Sequence, residues 1–257
     1  MQASIDVGTD PAVQYLLRIG DTCLVLAQRL GEWCGHAPVL EEDIAMTNMA
    51  LDLVGQARAV LTHAGRLGGH GHDEDQLAFL RDERDYRNVT MVELPRGDFA
   101  FTVLRNTMVA AWLKGLWERL AESSDAELAG IAGKAVKEAR YHLQHAADWV
   151  VRLGDGTPES HRRAQDALDE LWRYVPELFE PDQVDEAAHA SGLGPRCSEL
   201  HARWLEEVEP VLGEATLAVP AASGFRSTGK RGVHTEHMGY LLAEMQHLQR
   251  SFPGGAW

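Results

Sequence analysis

Apolar residues recur along most of the chain at the three- and four-residue spacing of amphipathic helices. This pattern predicts four long helices, over residues 11–33, 40–66, 98–122 and 124–153. Further helices are predicted over residues 158–174, 195–215 and 235–251. Asp98 is expected to cap the third helix, and Ser124 with Glu127 to form a capping box on the fourth. Strand-like alternation is scarce and confined to the short stretch VTMVEL.

The lengths of the connections indicate how the helices pair. Short turns join the first helix to the second and the third to the fourth, and a long connection separates the two pairs. Two helical hairpins with one long crossover are typical of ferritin-like bundles. We therefore predict an all-α, ferritin-like fold in a single domain over residues 1–257. Residues 11–153 would form the four-helix core, residues 154–257 additional packing helices, and residues 1–10 a flexible start.

Composition narrows the functional classes. The chain has 257 residues, 45% apolar and 25% charged, as in soluble globular proteins. A net charge of −15 argues against nucleic-acid binding. Three cysteines, Cys23, Cys34 and Cys197, give no disulfide or metal-binding spacing. With no leader-like start and no apolar run long enough for a membrane span, we expect a cytoplasmic protein.

A di-iron site of the ferritin-like type needs inward carboxylates and a Glu-x-x-His motif on two of its helices. The third helix has no Asp or Glu between Phe99 and Trp117. The stretch KEARYHLQH in the fourth helix offers Glu138-x-x-Tyr141, which is not such a motif. The predicted inward stripe of that helix is Ala135, Ala139, His142, Ala146 and Val150. That of the second helix is Met46, Met49, Leu53, Ala57, Val60 and Ala64, so we expect the core to bind no metal.

Two literal Glu-x-x-His strings occur elsewhere, at Glu186–His189 and Glu244–His247. Both lie outside the predicted four-helix core. In a chain with 39 acidic residues and 12 histidines, such strings are expected by chance.

The long crossover contains a candidate contact for coenzyme A. Asp85, Tyr86, Arg87 and Asn88 place a charge, an aromatic ring and amide donors close together. Arginine suits phosphate and an aromatic ring can stack on adenine. The alternative interpretation is a turn held by local salt bridges.

A basic segment near the C-terminus is a candidate partner interface. Its residues are Arg226, Lys230, Arg231, His234, Glu236, His237 and Tyr240. It could meet an acidic partner surface or phosphates, and the alternative is a solvated loop.

Four stretches occur in the order found in a known family: LRIGDTCLVLAQRLGEWCGHAPVLEEDIAMTNMALDLVGQAR, LAFLRDERDYRN, KEARYHL and GVHTEHMGYLLAEMQHLQR. Together they resemble the family of C subunits of bacterial 1,2-phenylacetyl-CoA epoxidases. The resemblance extends from about Tyr15 to Trp257.

The resemblance implies a multicomponent oxygenase of aerobic phenylacetate catabolism. Its catalytic subunit is a ferritin-like di-iron protein, and its reductase component carries electrons from NADPH through flavin and an iron–sulfur cluster. The C subunit is implied to be a paralogue of the catalytic subunit that lost its metal and now scaffolds it. The complex, with its other epoxidase components, would bind phenylacetyl-CoA.

The family's catalytic Glu-x-x-His positions fall here on Leu53 and Gln56, and on Ala139 and His142. Three of these four residues are not metal ligands, so the resemblance implies no cofactor in this chain. The sequence leaves two alternatives open: an active ferritin-like di-iron oxygenase, or an acyl-CoA binding module.

Overall fold

A computed structural model describes residues 4–255, which are helical and contain no strand beyond an isolated bridge between Thr228 and Val233. The helices are α1 (Pro11–Gly31), α2 (Leu40–Gly68), α3 (Glu74–Phe79), α4 (Thr90–Glu93), α5 (Phe99–Leu120), α6 (Ala126–Gly154), α7 (Pro158–Trp172), α8 (Val175–Phe179), α9 (Gln183–Ala190), α10 (Leu200–Glu214), α11 (Glu236–Met245) and α12 (His247–Ser251). None of the helices in this described part is long and apolar enough to cross a membrane.

The contacts divide the chain into two compact units. The first unit comprises Met1–Cys34, Ile44–Pro95 and Ser227–Trp257, and the second comprises Gly35–Asp43 and Arg96–Arg226. The predicted division into a core over 11–153 and additional helices over 154–257 follows other boundaries, and the single domain remains a prediction.

The first unit is built on a hairpin of α1 and α2. The carboxylate of Asp10 caps α1 by accepting hydrogen bonds from the backbone of Ala12 and Val13. A Cβ atom at Gly20 would lie 2.8 Å from Leu61 Cδ2, so glycine permits the close approach of the two helices. Further along, Cys23 Sγ lies 3.6 Å from Gln56 Oε1, which shows that the helices run antiparallel. The predicted inward stripe of α2 is confirmed, because Met46, Met49, Leu53, Ala57, Val60 and Ala64 are all buried.

The second unit is built on the antiparallel pair α5 and α6. Phe99, at the start of α5, meets Trp149, near the end of α6, with ring centroids 5.0 Å apart. The predicted inward stripe of α6 is also confirmed, since Ala135, Ala139, His142, Ala146 and Val150 are buried. Helix α10 packs against α5, where Trp204 Nε1 donates to the Met108 carbonyl at 2.8 Å.

Two local predictions are wrong, and one stretch with strand-like alternation is helical. Helix α6 is capped by Asp125, whose carboxylate accepts from Leu128 N–H at 2.9 Å, while Ser124 hydrogen-bonds to Ser191. The VTMVEL stretch, whose alternation is strand-like in the sequence, contains the short helix α4. The last predicted helix is interrupted at Gln246, whose buried side chain hydrogen-bonds to the crossover.

The start of the chain has contacts of its own. Ile5 N–H donates to the Leu80 carbonyl at 3.2 Å, the Ser4 hydroxyl donates to Asp85, and Val7 is buried. Flexibility of residues 1–10 remains a prediction, and its first three residues lie outside the described part.

Replacement of Gly154 by alanine should destabilise the second unit. The added Cβ would lie 2.2 Å from the backbone oxygen of Ala215, which cannot move away cheaply. We expect a loss of about 1–3 kcal/mol in the free energy of unfolding, measured by urea denaturation. Gly133→Ala is the matched control, since Gly133 is exposed on the same helix with no atom within 4 Å. The control should gain up to about 1 kcal/mol, and equal effects of the two variants would contradict this packing.

Candidate functional site

Helix α5 buries several polar residues, none of which is acidic. Its buried polar residues are Thr102, Arg105, Asn106 and Thr107. Arg105 is 0% exposed, and its guanidinium carbon lies 5.7 Å from the centroid of the Phe101 ring. A buried guanidinium is always charged and repels a metal cation. A ferritin-like di-iron bundle uses buried carboxylates, whereas this helix buries a positive charge and no carboxylate.

Helix α6 turns most of the KEARYHLQH side chains away from its buried stripe. Glu138 pairs with Lys134 at 3.4 Å. Tyr141 is 51% exposed, and His145 pairs with Glu42 at 2.9 Å. Only His142 among its histidines, tyrosine and glutamate belongs to the buried stripe, where its neighbour one turn earlier is Ala139.

Helix α2 places Leu53 and Gln56 in its buried face. Gln56 presents a neutral amide, whose oxygen accepts from the Cys23 thiol. Within residues 4–255, no three side chains of the types His, Cys, Asp and Glu come together in a way that could hold a metal ion. The four positions that match the family's catalytic Glu-x-x-His motifs are Leu53, Gln56, Ala139 and His142. They carry two apolar side chains, one amide and one histidine, and this set does not fit a di-iron centre.

The literal Glu-x-x-His strings lie away from these faces. Glu186 and His189 belong to the short helix α9, while Glu244 in α11 and His247 in α12 are both exposed.

The crossover is organised by a buried ion pair that the sequence analysis missed. Arg81 and Asp21 both have fully buried side chains. Arg81 Nη1 donates to Asp21 Oδ2 at 2.9 Å, and Arg81 Nη2 donates to Asp21 Oδ1. Burial disfavours the charge of Arg81, but the adjacent Asp21 carboxylate outweighs it and raises the pKa of Arg81. The Tyr86 ring covers the guanidinium at 4.3 Å, and burial raises the pKa of the Tyr86 hydroxyl.

The residues predicted to contact coenzyme A surround this ion pair. Tyr86 is fully buried and donates to the Ala78 carbonyl, so no face of its ring is available for stacking on adenine. Asn88 is also fully buried, and its amide donates to Glu93 at 3.0 Å. The alternative interpretation, a turn held by local salt bridges, does not describe these two contacts, which are hydrogen bonds of a neutral hydroxyl and a neutral amide.

Arg87 and Asp85 are only partly buried. Arg87 donates its backbone N–H to Asp21 at 2.8 Å and its Nε to Gln14 at 2.8 Å, and Asp85 accepts from Ser4. Contact with coenzyme A remains a prediction, and these two residues retain the exposed surface that it needs.

A second buried pair attaches the C-terminal segment of the first unit, Ser227–Trp257, to the crossover between α2 and α5. His234 Nδ1 lies 2.6 Å from Glu93 Oε2, and the backbone N–H of Thr235 donates to Glu93 Oε1 at 2.6 Å. Neither the His234 nor the Glu93 side chain is exposed. Burial lowers the pKa of His234, but the hydrogen bond and charge of Glu93 outweigh burial and raise it overall.

The predicted interface residues differ in what they can offer a partner. Lys230 and His234 are used inside the first unit, whereas Arg231, Glu236 and Tyr240 are exposed, and His237 is half-buried. Arg226 belongs to the second unit, where it pairs with Glu180 at 2.5 Å. The partner interface remains a prediction that rests on the exposed members.

Sequence reasoning overlooked Asp21, Arg81 and Glu93. Asp21 interrupts a long apolar stretch of the first helix, and Glu93 stands alone among apolar residues in VTMVEL. An isolated charge in an apolar run signals a buried partner. The partner itself, Arg81 or His234, is too distant in sequence to be recognised.

Comparisons with known proteins show which family the chain belongs to. The model of the family described as "Phenylacetic acid catabolic protein" matches residues 1–257. The chain belongs to the phenylacetic acid catabolic protein family. Within it, the chain is 52% identical over 243 residues to the C subunit of the 1,2-phenylacetyl-CoA epoxidase of Escherichia coli (strain K12). That match covers 95% of this chain and 98% of the relative.

Membership of this family confirms two predictions. The resemblance to the family of epoxidase C subunits is confirmed over almost the whole chain. The all-α, ferritin-like fold class is confirmed as well, by the family and the helical structure together.

The buried His234–Glu93 pair should make stability depend on pH. Because the pKa of His234 is raised on folding, its contribution is fully present below the unfolded pKa of about 6.5. That contribution is lost as the pH rises through the raised value. His234→Gln should cost about 1.5–3 kcal/mol at pH 6 and less at higher pH, measured by urea denaturation across the pH range.

His237→Gln is the matched control, because His237 lies three residues away without this carboxylate partner. Wild type and His237→Gln should lose stability similarly as the pH rises, while His234→Gln should lose less. An identical pH dependence in all three proteins would remove the pair from this role.

Proposed function

We propose that this chain is the non-catalytic, structural C subunit of a 1,2-phenylacetyl-CoA epoxidase in phenylacetate catabolism. The single observation that carries this assignment is the 52% identity to the Escherichia coli protein over 95% of the chain. The geometry supports the non-catalytic role, since α5 buries Arg105 and no carboxylate. Residues at the four degenerate ligand positions do not fit two irons, so we assign this chain no step of the reaction.

In this proposal the reaction belongs to the complex. One oxygen atom of O₂ enters the aromatic ring of phenylacetyl-CoA, and the other leaves as water. The di-iron centre lies in a ferritin-like paralogue, and the reductase component supplies electrons from NADPH through flavin and an iron–sulfur cluster. This chain supplies no cofactor and acts in the cytoplasm.

The C-terminal segment of the first unit is the proposed docking surface for the di-iron paralogue. Its buried side reaches the crossover through His234, Gln246 and Arg250. Its outer side carries large apolar side chains that remain exposed in this chain: Val233 (64%), Tyr240 (74%), Leu248 (53%) and Phe252 (56%). Exposed apolar residues mark a surface that a partner covers when they form one contiguous patch, and we propose that these four form such a patch.

The test is assembly with the di-iron paralogue. Co-expressed full-length chains should co-purify, and phenylacetyl-CoA turnover by the paralogue should require this chain. Tyr240→Asp should weaken assembly by about 30-fold or more, because a central aromatic contact contributes about 2 kcal/mol or more. The dissociation constant can be measured by surface plasmon resonance.

Val219→Asp is the matched control, since Val219 is 50% exposed in the second unit. It should assemble as wild type does. Full turnover by the paralogue alone would contradict the scaffold role, and turnover by this chain alone would favour an active oxygenase. Equal assembly of both variants would place the interface elsewhere.

A further inference from the structure

The second unit contains an apolar groove of about 520 Å³ between α7, α8 and α10. Its walls include Trp172, Val175, Phe179 and Leu205. The volume lies within the range of about 300–1,000 Å³ that is usual for small-molecule sites, which are mostly apolar with few polar groups. None of the residues considered above for metal, coenzyme A or the Glu93 pair lines it, whereas Arg226 of the predicted partner interface does.

Two aromatic rings, Trp172 and Phe179, line the groove and pack on the buried Trp204. Phe179 packs against Trp204 with ring centroids 5.5 Å apart, and Trp172 packs against Trp204 at 5.7 Å. Trp204 is fixed in turn by its hydrogen bond to Met108. Because these rings are held in place, the wall is preorganised for a flat apolar group. A benzene ring needs only about 150 Å³, so the groove can hold a ring with a short side chain.

Polar groups lie at one end of this wall. Ser198 lies in the turn before α10 and His201 lies in the first turn of α10; both are exposed and both line the groove. The His201 ring rests on Phe179 at 4.7 Å. Neither the Ser198 hydroxyl nor the His201 imidazole hydrogen-bonds to another side chain or backbone group within residues 4–255. Both can donate a hydrogen bond to a ligand.

Arg226 adds a positive charge at the rim. Its Nη1 donates to the carbonyls of Ser223 and Phe225 at 3.0 and 2.9 Å, which holds the guanidinium at the mouth of the groove. Its ion pair with Glu180 is 51% and 47% exposed, and such exposed pairs contribute only about 0–1 kcal/mol. A ligand carboxylate can therefore replace or share this partner.

We propose that the groove is a binding site for an aromatic monocarboxylate. The ring would lie against Trp172 and Phe179, and the carboxylate would accept hydrogen bonds from Ser198, His201 and Arg226. Such a ligand matches both the fixed aromatic wall and the donors at one end of it. The choice of phenylacetate as the probe rests on the proposed function, whereas the site itself rests on the groove.

The test is isothermal titration of the full-length chain with sodium phenylacetate. We expect saturable binding of one molecule per chain. His201→Ala and Arg226→Gln should each weaken it by about 10-fold or more, the loss expected for a charge-assisted hydrogen bond. Ser198→Trp should abolish binding by filling the mouth, where Ser198 is exposed and folding should be unaffected.

Matched controls separate the groove from other surfaces. His189→Ala and Arg162→Gln remove the same groups at positions outside the groove lining and should leave the affinity unchanged. 2-Phenylethanol, which has the ring but no carboxylate, should bind at least 10-fold more weakly, and acetate should not bind.

Absence of saturable phenylacetate binding would overturn the proposal. So would binding that the three groove variants do not change, or equal affinity for 2-phenylethanol. Phenylacetate binding by a chain that fails to assemble with the paralogue would leave the groove standing and count against the scaffold role. Normal assembly without phenylacetate binding would overturn the groove proposal and leave the scaffold role standing.

Discussion

The buried Asp21–Arg81 ion pair is the constraint on which the crossover of the first unit depends. Taking two charges out of water costs several kcal/mol per ion, so each must be held by further bonds. Arg81 also donates to the backbone of Leu77 and Asp85, and Asp21 also accepts from the backbone of Arg87. Gln246 extends this network to the C-terminal segment. The polar groups of the DERDYRN stretch are therefore occupied mainly in holding the fold together.

The long helices of the second unit bury no ion pair of this kind in the contacts described above. Helix α6 buries apolar residues and one histidine, while α5 buries a guanidinium and neutral groups. A bundle that binds two irons needs negative charge in its interior to compensate the metal. A fixed positive charge on α5 is compatible with a structural role and opposes metal binding. This is why we propose that the chain keeps the ferritin-like fold without the di-iron chemistry.

Helix identity and inward faces were predictable because side-chain burial on α2 and α6 follows the helical period. The absence of a carboxylate between Phe99 and Trp117, which form most of α5, was also visible in the sequence. Burial of Tyr86 and Asn88 was not, because their partners Arg81 and Glu93 become neighbours only on folding. The groove at Trp172, Phe179 and His201 was missed for the same reason, since it joins α7, α8 and α10. The helix break at Gln246 depends on a long-range bond that local propensity does not report.

The iron content of the isolated chain tests the central claim most directly. Purified full-length protein would be reconstituted anaerobically with ferrous iron, desalted and analysed by elemental mass spectrometry beside the di-iron paralogue. The account predicts stoichiometric iron in the paralogue and only trace iron in this chain, because the buried residues of α5 include Arg105 and no carboxylate. Two irons per chain, retained after desalting and ligated within the bundle, would contradict it.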